Sequence, residues 1–343
     1  MGQVQQGCQR LISPRLCRRA PVLIPVQSSG IASTTDTMLT HVPAMKDSAP
    51  LQPAAPDPVS RFKRGELEFV SVVAAGVAIE AAIQGAHLTA WNPSGTSPVL
   101  FLSKRTALAP GRAIRGGVPL VFPWFGSRAG HPQSPAHGFA RNIPWSLTIA
   151  DVRRDGAARL HFELADSAHT RSSWPYPFHA TFAIDASDRL RLHLAIHNTG
   201  AKPMPFEAAF HSYFSVSDVR DICIRGLEHA EYLDKTEGQA RKRQDENGIR
   251  FTGEVDRAYL NTRATCIIED EAWKRRILIS KEGSLATVVW NPWVERARAL
   301  SDLGEDQWTP MVCVETAIAA ENSVVVEPGH THDLVAEIAV APM

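Results

Sequence analysis

"RLRLHLAIHN", residues 189–198, alternates without interruption. Leu190, Leu192, Leu194 and Ile196 fall on one face, and Arg189, Arg191, His193 and His197 on the other. A period of two with one apolar side marks a half-buried antiparallel strand. The neighbouring "DASDRL" and "NTGAKP" are turn-forming, so this strand belongs to hairpins. Short alternating or β-branched runs recur on both sides of it: "LEFVSVV" (67–73), "ARLHFELAD" (158–166), "HATFAIDAS" (179–187), "CIIED" (266–270), "RILIS" (276–280), "LATVVWNPW" (285–293), "SVVVEPG" (323–329) and "DLVAEIAVA" (333–341). No long stripe at i, i+3, i+4, i+7 interrupts them, and no internal repeat suggests a propeller. The expected fold is all-β: a large antiparallel β-sandwich with few short helices, spanning residues 62–343.

The chain has 343 residues, with 36 basic and 36 acidic side chains and a formal net charge of zero. That balance excludes nucleic-acid or acidic-membrane binding driven by bulk charge, and points to a small partner. No apolar run is long enough to span a bilayer. The cysteines, Cys8, Cys17, Cys223, Cys266 and Cys313, are odd in number and contain no CxxC pair. They read as small apolar residues in a reducing compartment, which implies a cytoplasmic location. Residues 1–35 lack Asp and Glu but carry Arg10, Arg15, Arg18 and Arg19. The stretch imitates a signal peptide, but Pro21 and Pro25 break its short apolar core, so a disordered arm, or an upstream extension before a start at Met38 or Met45, is expected instead. "SAPLQPAAPDPVSR" (48–61) reads as a Pro/Ala linker that completes the non-domain segment 1–61.

Three places interrupt the apolar pattern with ionisable side chains. In "MPFEAAFHSYFSVSDV" (204–219), His211 lies among aromatic residues, either as a core histidine or as a group whose protonation is set by its surroundings. In "PMVCVETA" (310–317), Met311, Cys313 and Glu315 share a face. A carboxylate there is either paired at a strand end or raised in pKa and able to act as a base near neutrality. The third is "RGGVPLVFPWFGSRAGHPQSPAHGFARNIPW" (115–145), where Gly and Pro fix an irregular path that carries Arg115, His137 and Arg141 among Trp124 and Phe125. Two such arginines form surface ion pairs or hold an anionic group with their planar forks. Trp290 and Trp293 of "VVWNPW" are either core or a wall for a ligand ring. His330 and His332 of "GHTH" lack a third ligand nearby, so no metal site is expected. There is no GxGxxG, Walker loop, GxSxG or HExxH.

Taken in order, "GAHLTAWNP", "VLFLS", "RGGVPLVFPWFG", "HGFARNIPW", "WPYPF", "HSYFSVSDV", "GLEHAEYLDK", "GEVDRAYL", "VVWNPW" and "MVCVETA" resemble the hexose-6-phosphate mutarotase branch of the aldose 1-epimerases. The resemblance covers about residues 66–340 and implies a galactose-mutarotase-like supersandwich acting, without a cofactor, as a monomer. Its substrate would be a hexose 6-phosphate such as glucose 6-phosphate. It also implies His211 as general acid, Glu315 as general base, Arg115 and Arg141 on the phosphate, and Asp256 as a substrate contact. His137 would help line the pocket, and Trp290 is a further substrate-binding candidate. One departure is Ala136, where relatives can carry a glutamine. The alternatives are an aldose 1-epimerase of unphosphorylated sugar and a non-catalytic carbohydrate-binding protein on the same fold.

Overall fold

The computed structural model describes residues 57–343. The possible signal peptide, the expected arm, most of the linker, Cys8 and Cys17 lie outside the described residues. The first strand, Val59–Arg64, includes three residues expected to be linker. It forms because a turn at Gly65 (φ 59°) folds it back on Leu67–Ala74, in register from Val59↔Val72 to Arg64↔Leu67. In Val59–Arg64 only Val59 and Phe62 are half-buried, which is why its sequence carries no alternation.

Two eight-stranded antiparallel sheets dominate. The first runs Cys223–Arg225, Cys266–Asp270, Arg275–Glu282, Thr331–Pro342, Arg189–Asn198, Phe178–Ala186, Ala158–Ala165, Ser146–Val152. The second runs Ala240–Arg243, Glu231–Asp234, Val255–Tyr259, Ala286–Asn291, Met311–Ile318, Ala208–Phe210, Leu120–Val121, with Tyr213–Ser215 also paired to Met311–Ile318. A four-stranded meander, Val59–Arg64 to His87–Pro93, and a two-stranded pair, Met204–Phe206 with Val324–Val326, complete the β-structure. The α-helices among the described residues are one or two turns long, Ala168–Ser173 and Trp293–Ala299.

The alternation of residues 189–198 is realised directly: Leu190, Leu192, Leu194 and Ile196 are each at most 1% exposed. They join one continuous core with Val289, Val312, Val314 and Phe214 of the second sheet. Phe122 packs edge-on against Phe139, Trp174, Phe178 and Phe206 at centroid distances of 6.2, 5.3, 5.1 and 5.8 Å. Fully burying such a side chain contributes about 1.5–3 kcal/mol. This cluster ties the loop after Leu120–Val121 to the first sheet and to the two-stranded pair.

Strand Met311–Ile318 is buried on both faces. Val312 and Val314 meet the main core, while Ala317 joins a smaller cluster on the opposite face with Val121, Ala209, Ala258, Val288 and Phe125. That second face carries the site.

Candidate active site

Directly opposed residues of an antiparallel sheet share a face, so pairing alone fixes the floor of the site. Asp256 opposes Trp290, Trp290 opposes Cys313, and Cys313 opposes Tyr213. These four residues form one row across the second sheet. Glu315 stands in the next row on the same face, opposite Val288. The chain leaves strand pairing at His211 and Ser212, between Ala208–Phe210 and Tyr213–Ser215. There the His211 amide donates to the Pro119 carbonyl (3.1 Å) and the Ser212 carbonyl accepts from Val314 (3.2 Å). This break places the imidazole beside Glu315, with Nδ1 3.4 Å from Oε1.

Neither partner is otherwise satisfied. His211 Nδ1 and Glu315 Oε2 are buried without a hydrogen bond. Tyr213 lies flat on His211 (4.9 Å, 7° between planes), and Trp290 meets it edge-on at 6.1 Å. Burial pushes the Glu315 carboxyl well above its ordinary range, with Lys235 opposing that rise and Asp256 adding to it. Burial also pushes the His211 imidazole well below its ordinary value, helped by His137, Arg141 and Arg115. Burial thus disfavours the charged form of both groups.

The loop of residues 115–141 roofs this face. Gly116 (φ 112°) and Gly117 (φ 60°) occupy conformations that favour glycine, and a Cβ on Gly117 would stand 2.2 Å from the Leu88 carbonyl oxygen. Arg115 between loop and sheet is heavily engaged: Nε bonds Asp302 Oδ2 (3.1 Å), Nη2 lies 3.0 Å from the same oxygen, and Nη1 donates to the Tyr213 hydroxyl (2.9 Å). Burial opposes its charge, but Tyr213 and Asp302 outweigh burial and hold its pKa above the ordinary value. Arg141 differs. Its Nη2 donates only to the Ala136 carbonyl (2.8 Å), and its Nε is buried without a partner. Burial lowers its pKa, with Arg115 adding to that and Tyr213 and Glu315 opposing it. Ala136, the departure from the family pattern, thus meets Arg141 through its backbone.

His137 takes φ 64°, uncommon for a side chain larger than glycine. Its Nδ1 accepts from the Gly126 amide (3.3 Å), so the ring proton resides on Nε2. Burial, with Arg141, Lys235 and Arg115, lowers its pKa to about 3, so it stands neutral, 5.4 Å from His211. Asp256 is paired with Lys235 at 3.1 Å.

All seven site residues expected from the sequence, His211, Glu315, Arg115, Arg141, Asp256, His137 and Trp290, are thus linked by contact or charge around one patch. Trp293 is not. After Trp290, the Asn291 side chain accepts the Trp293 amide and donates to the Trp308 and Met311 carbonyls, which turns the chain away. Trp293 opens a helix and packs on Trp308 at 4.4 Å. Trp124 likewise faces Phe139, whereas Phe125 meets His137 at 4.8 Å. The sequence reading missed Asp302 and Lys235. Nothing local marks Asp302; Lys235 was visible only as the end of "EYLDK". Among the described residues no three His, Cys, Asp or Glu side chains are grouped to hold a metal.

The arrangement matches a known family. The aldose 1-epimerase family model matches residues 69–339. The chain belongs to the aldose 1-epimerase family. Within it, the chain is 37% identical over 277 residues to an Escherichia coli protein named "Putative glucose-6-phosphate 1-epimerase", covering 80% of this chain and 91% of that one. A Cenchrus ciliaris protein of the same name is 34% identical, with 72% and 76% covered. A Salmonella typhimurium crystal structure titled a putative mutarotase superimposes with a TM-score of 0.79 at 32% identity, covering 85% of this chain and 96% of that one. A galactose mutarotase-like protein from Clostridium acetobutylicum, 13% identical with a TM-score of 0.66 over 83% of this chain and 98% of its own, shares the fold.

Beneath the loop, His87 is fully buried, its Nε2 2.7 Å from the Gly116 carbonyl. Burial lowers its pKa from 6.5 to about 4. Between those values the unfolded chain binds a proton that the folded chain does not. Stability is therefore complete above 6.5 and falls as pH drops toward 4. At about pH 5 His87 alone should remove about 2 kcal/mol. Denaturant melts at about pH 7.5 and about pH 5 check this through the midpoint, which should fall on the acid side.

Proposed function

We propose that the protein interconverts the α and β anomers of glucose 6-phosphate and similar hexose 6-phosphates. The observation that carries the reading is a buried proton donor and acceptor 3.4 Å apart, next to an arginine whose Nε has no partner. The names of the relatives point the same way.

The carboxylate of Glu315 takes the proton from the anomeric hydroxyl, while the imidazolium of His211 gives one to the ring oxygen. The C1–O5 bond breaks and C1 becomes an aldehyde. Rotation about C1–C2 and closure with both proton transfers reversed give the other anomer. After ring opening the pair stands as carboxyl and neutral imidazole. Burial disfavours the charged form of each group, so the environment stabilises this open-chain stage. Each positioned group supplies roughly 10²–10⁴-fold. No cofactor enters, because protons and electrons balance within the pair and the sugar.

Arg141 binds the phosphate with its unpartnered Nε. Arg115, fixed by Asp302 and Tyr213, adds charge from one side. Asp256 and His137 contact sugar hydroxyls, and Trp290 walls the ring.

Exchange NMR of glucose 6-phosphate anomers tests the reading, with free glucose as the control. Faster exchange of the phosphate ester than of the free sugar is expected. Equal acceleration of both would favour an epimerase of unphosphorylated sugar, and binding without exchange a carbohydrate-binding protein.

A further inference from the structure

We infer that Lys235 is a positioning residue of this reaction: its ammonium, tied to Asp256 and seated over Phe125, keeps the carboxylate end of the site in place and charged so that Glu315 can serve as base. The inference rests on the proton-exchange reading of Glu315 given above.

Lys235 opens a single 3-10 turn, Lys235–Glu237, at the end of strand Glu231–Asp234. Asp234 secures that turn, its Oδ1 accepting from the Thr236 amide (3.2 Å) and hydroxyl (2.6 Å). Strand Glu231–Asp234 pairs with Val255–Tyr259, Asp234 opposite Arg257, so the turn lies against Asp256. Lys235 Nζ is 3.1 Å from Asp256 Oδ1 and 4.7 Å from the Phe125 ring centroid. Its side chain is only 26% exposed. A cation held between a carboxylate and an aromatic face is doubly restrained. Phe125 in turn touches His137, and His137 touches His211, so the lysine is continuous with the catalytic pair through two rings.

The ionisable groups facing Glu315 are His211 from the strand break, Arg141 from the roof, Asp256 and Lys235 from the strand two places away and the turn beside it, and Cys313 from its own strand. After burial, Lys235 acts on Glu315 most strongly. Arg141 also lowers the carboxyl's proton affinity, but a phosphate bound there would spend that charge. Lys235 does not share that fate, since its counter-ion is part of the fold. Without it, Asp256 would stand unneutralised on the same sheet face and raise the proton affinity of Glu315.

The test is the pH profile of kcat/KM for glucose 6-phosphate with the full-length protein. Glu315 must be ionised to accept a proton, so activity rises with pH through its pKa. Lys235→Met should move that rising limb to higher pH by about one unit, and Lys235→Gln, which keeps polarity and size, should do the same. Lys235→Arg should leave the limb where it is in the wild type. A uniform loss at every pH with an unmoved limb, or a shift in Lys235→Arg as large as in Lys235→Met, would overturn the inference. Undiminished activity in Glu315→Gln would instead overturn the base assignment, so the two failures are distinguishable.

Discussion

Glu315→Gln should lower the rate of anomer exchange by at least about 100-fold, and by as much as about 10⁴-fold. The substitution keeps volume and shape at a position that is 1% exposed within a strand buried on both faces. Packing is therefore nearly preserved, and the change falls on proton affinity: a carboxylate accepts a proton at neutral pH and an amide does not. The loss corresponds to about 3–5 kcal/mol of transition-state stabilisation. His211→Asn should bring a loss of the same order, because the remaining base cannot open the ring without a donor at the ring oxygen. The double variant should be little worse than either single one, since the two groups act as a unit. Exchange NMR, with circular dichroism as a check of folding, measures both. An active Glu315→Gln protein would remove the mechanism.

The second large effect is selective. Arg141→Met should lower kcat/KM for glucose 6-phosphate by about 10–150-fold, the equivalent of a charge-assisted hydrogen bond of about 1.5–3 kcal/mol. Free glucose should be little affected. Selectivity is expected because the contact that Arg141 makes through Nη2 is to a backbone carbonyl, and its Nε is unpartnered. Arg115 offers a contrast. Its guanidinium also holds the Tyr213 hydroxyl, and Tyr213 lies on the His211 ring. Arg115→Met should therefore impair both substrates. Equal losses for both sugars in Arg141→Met would place the phosphate elsewhere.

Strands with one wet face were legible because water imposes a period of two. Residues 189–198 are the plainest example, and their buried side matches the apolar side of the sequence. Strand Met311–Ile318 gave no period because both of its faces are dry. There the informative signal was a carboxylate inside an apolar run. The remaining site residues depended on order of motifs more than on any local pattern. His211 and Glu315 meet because Tyr213–Ser215 pairs with Met311–Ile318, a long-range contact that neither segment encodes alone. Asp302 was hidden for the same reason, being joined to Arg115 only in space. Trp293 was ambiguous until Asn291 was seen to redirect the chain. The start of the first strand was missed because "SAPLQPAAPDPVSR" reads as Pro/Ala linker, its pairing being supplied by the strand that follows.

The Glu315 carboxyl and the His211 imidazole are borne by the sheet and its break, whereas Arg141 is borne by the roof. Under the proposed function, reactivity and substrate choice therefore sit mostly on different pieces of chain, joined where Arg115 braces Tyr213. Recasting the roof around Arg141 with Arg115 kept in place would redirect the protein to another sugar and leave its proton exchange intact, much as a lock can be rekeyed without replacing the bolt.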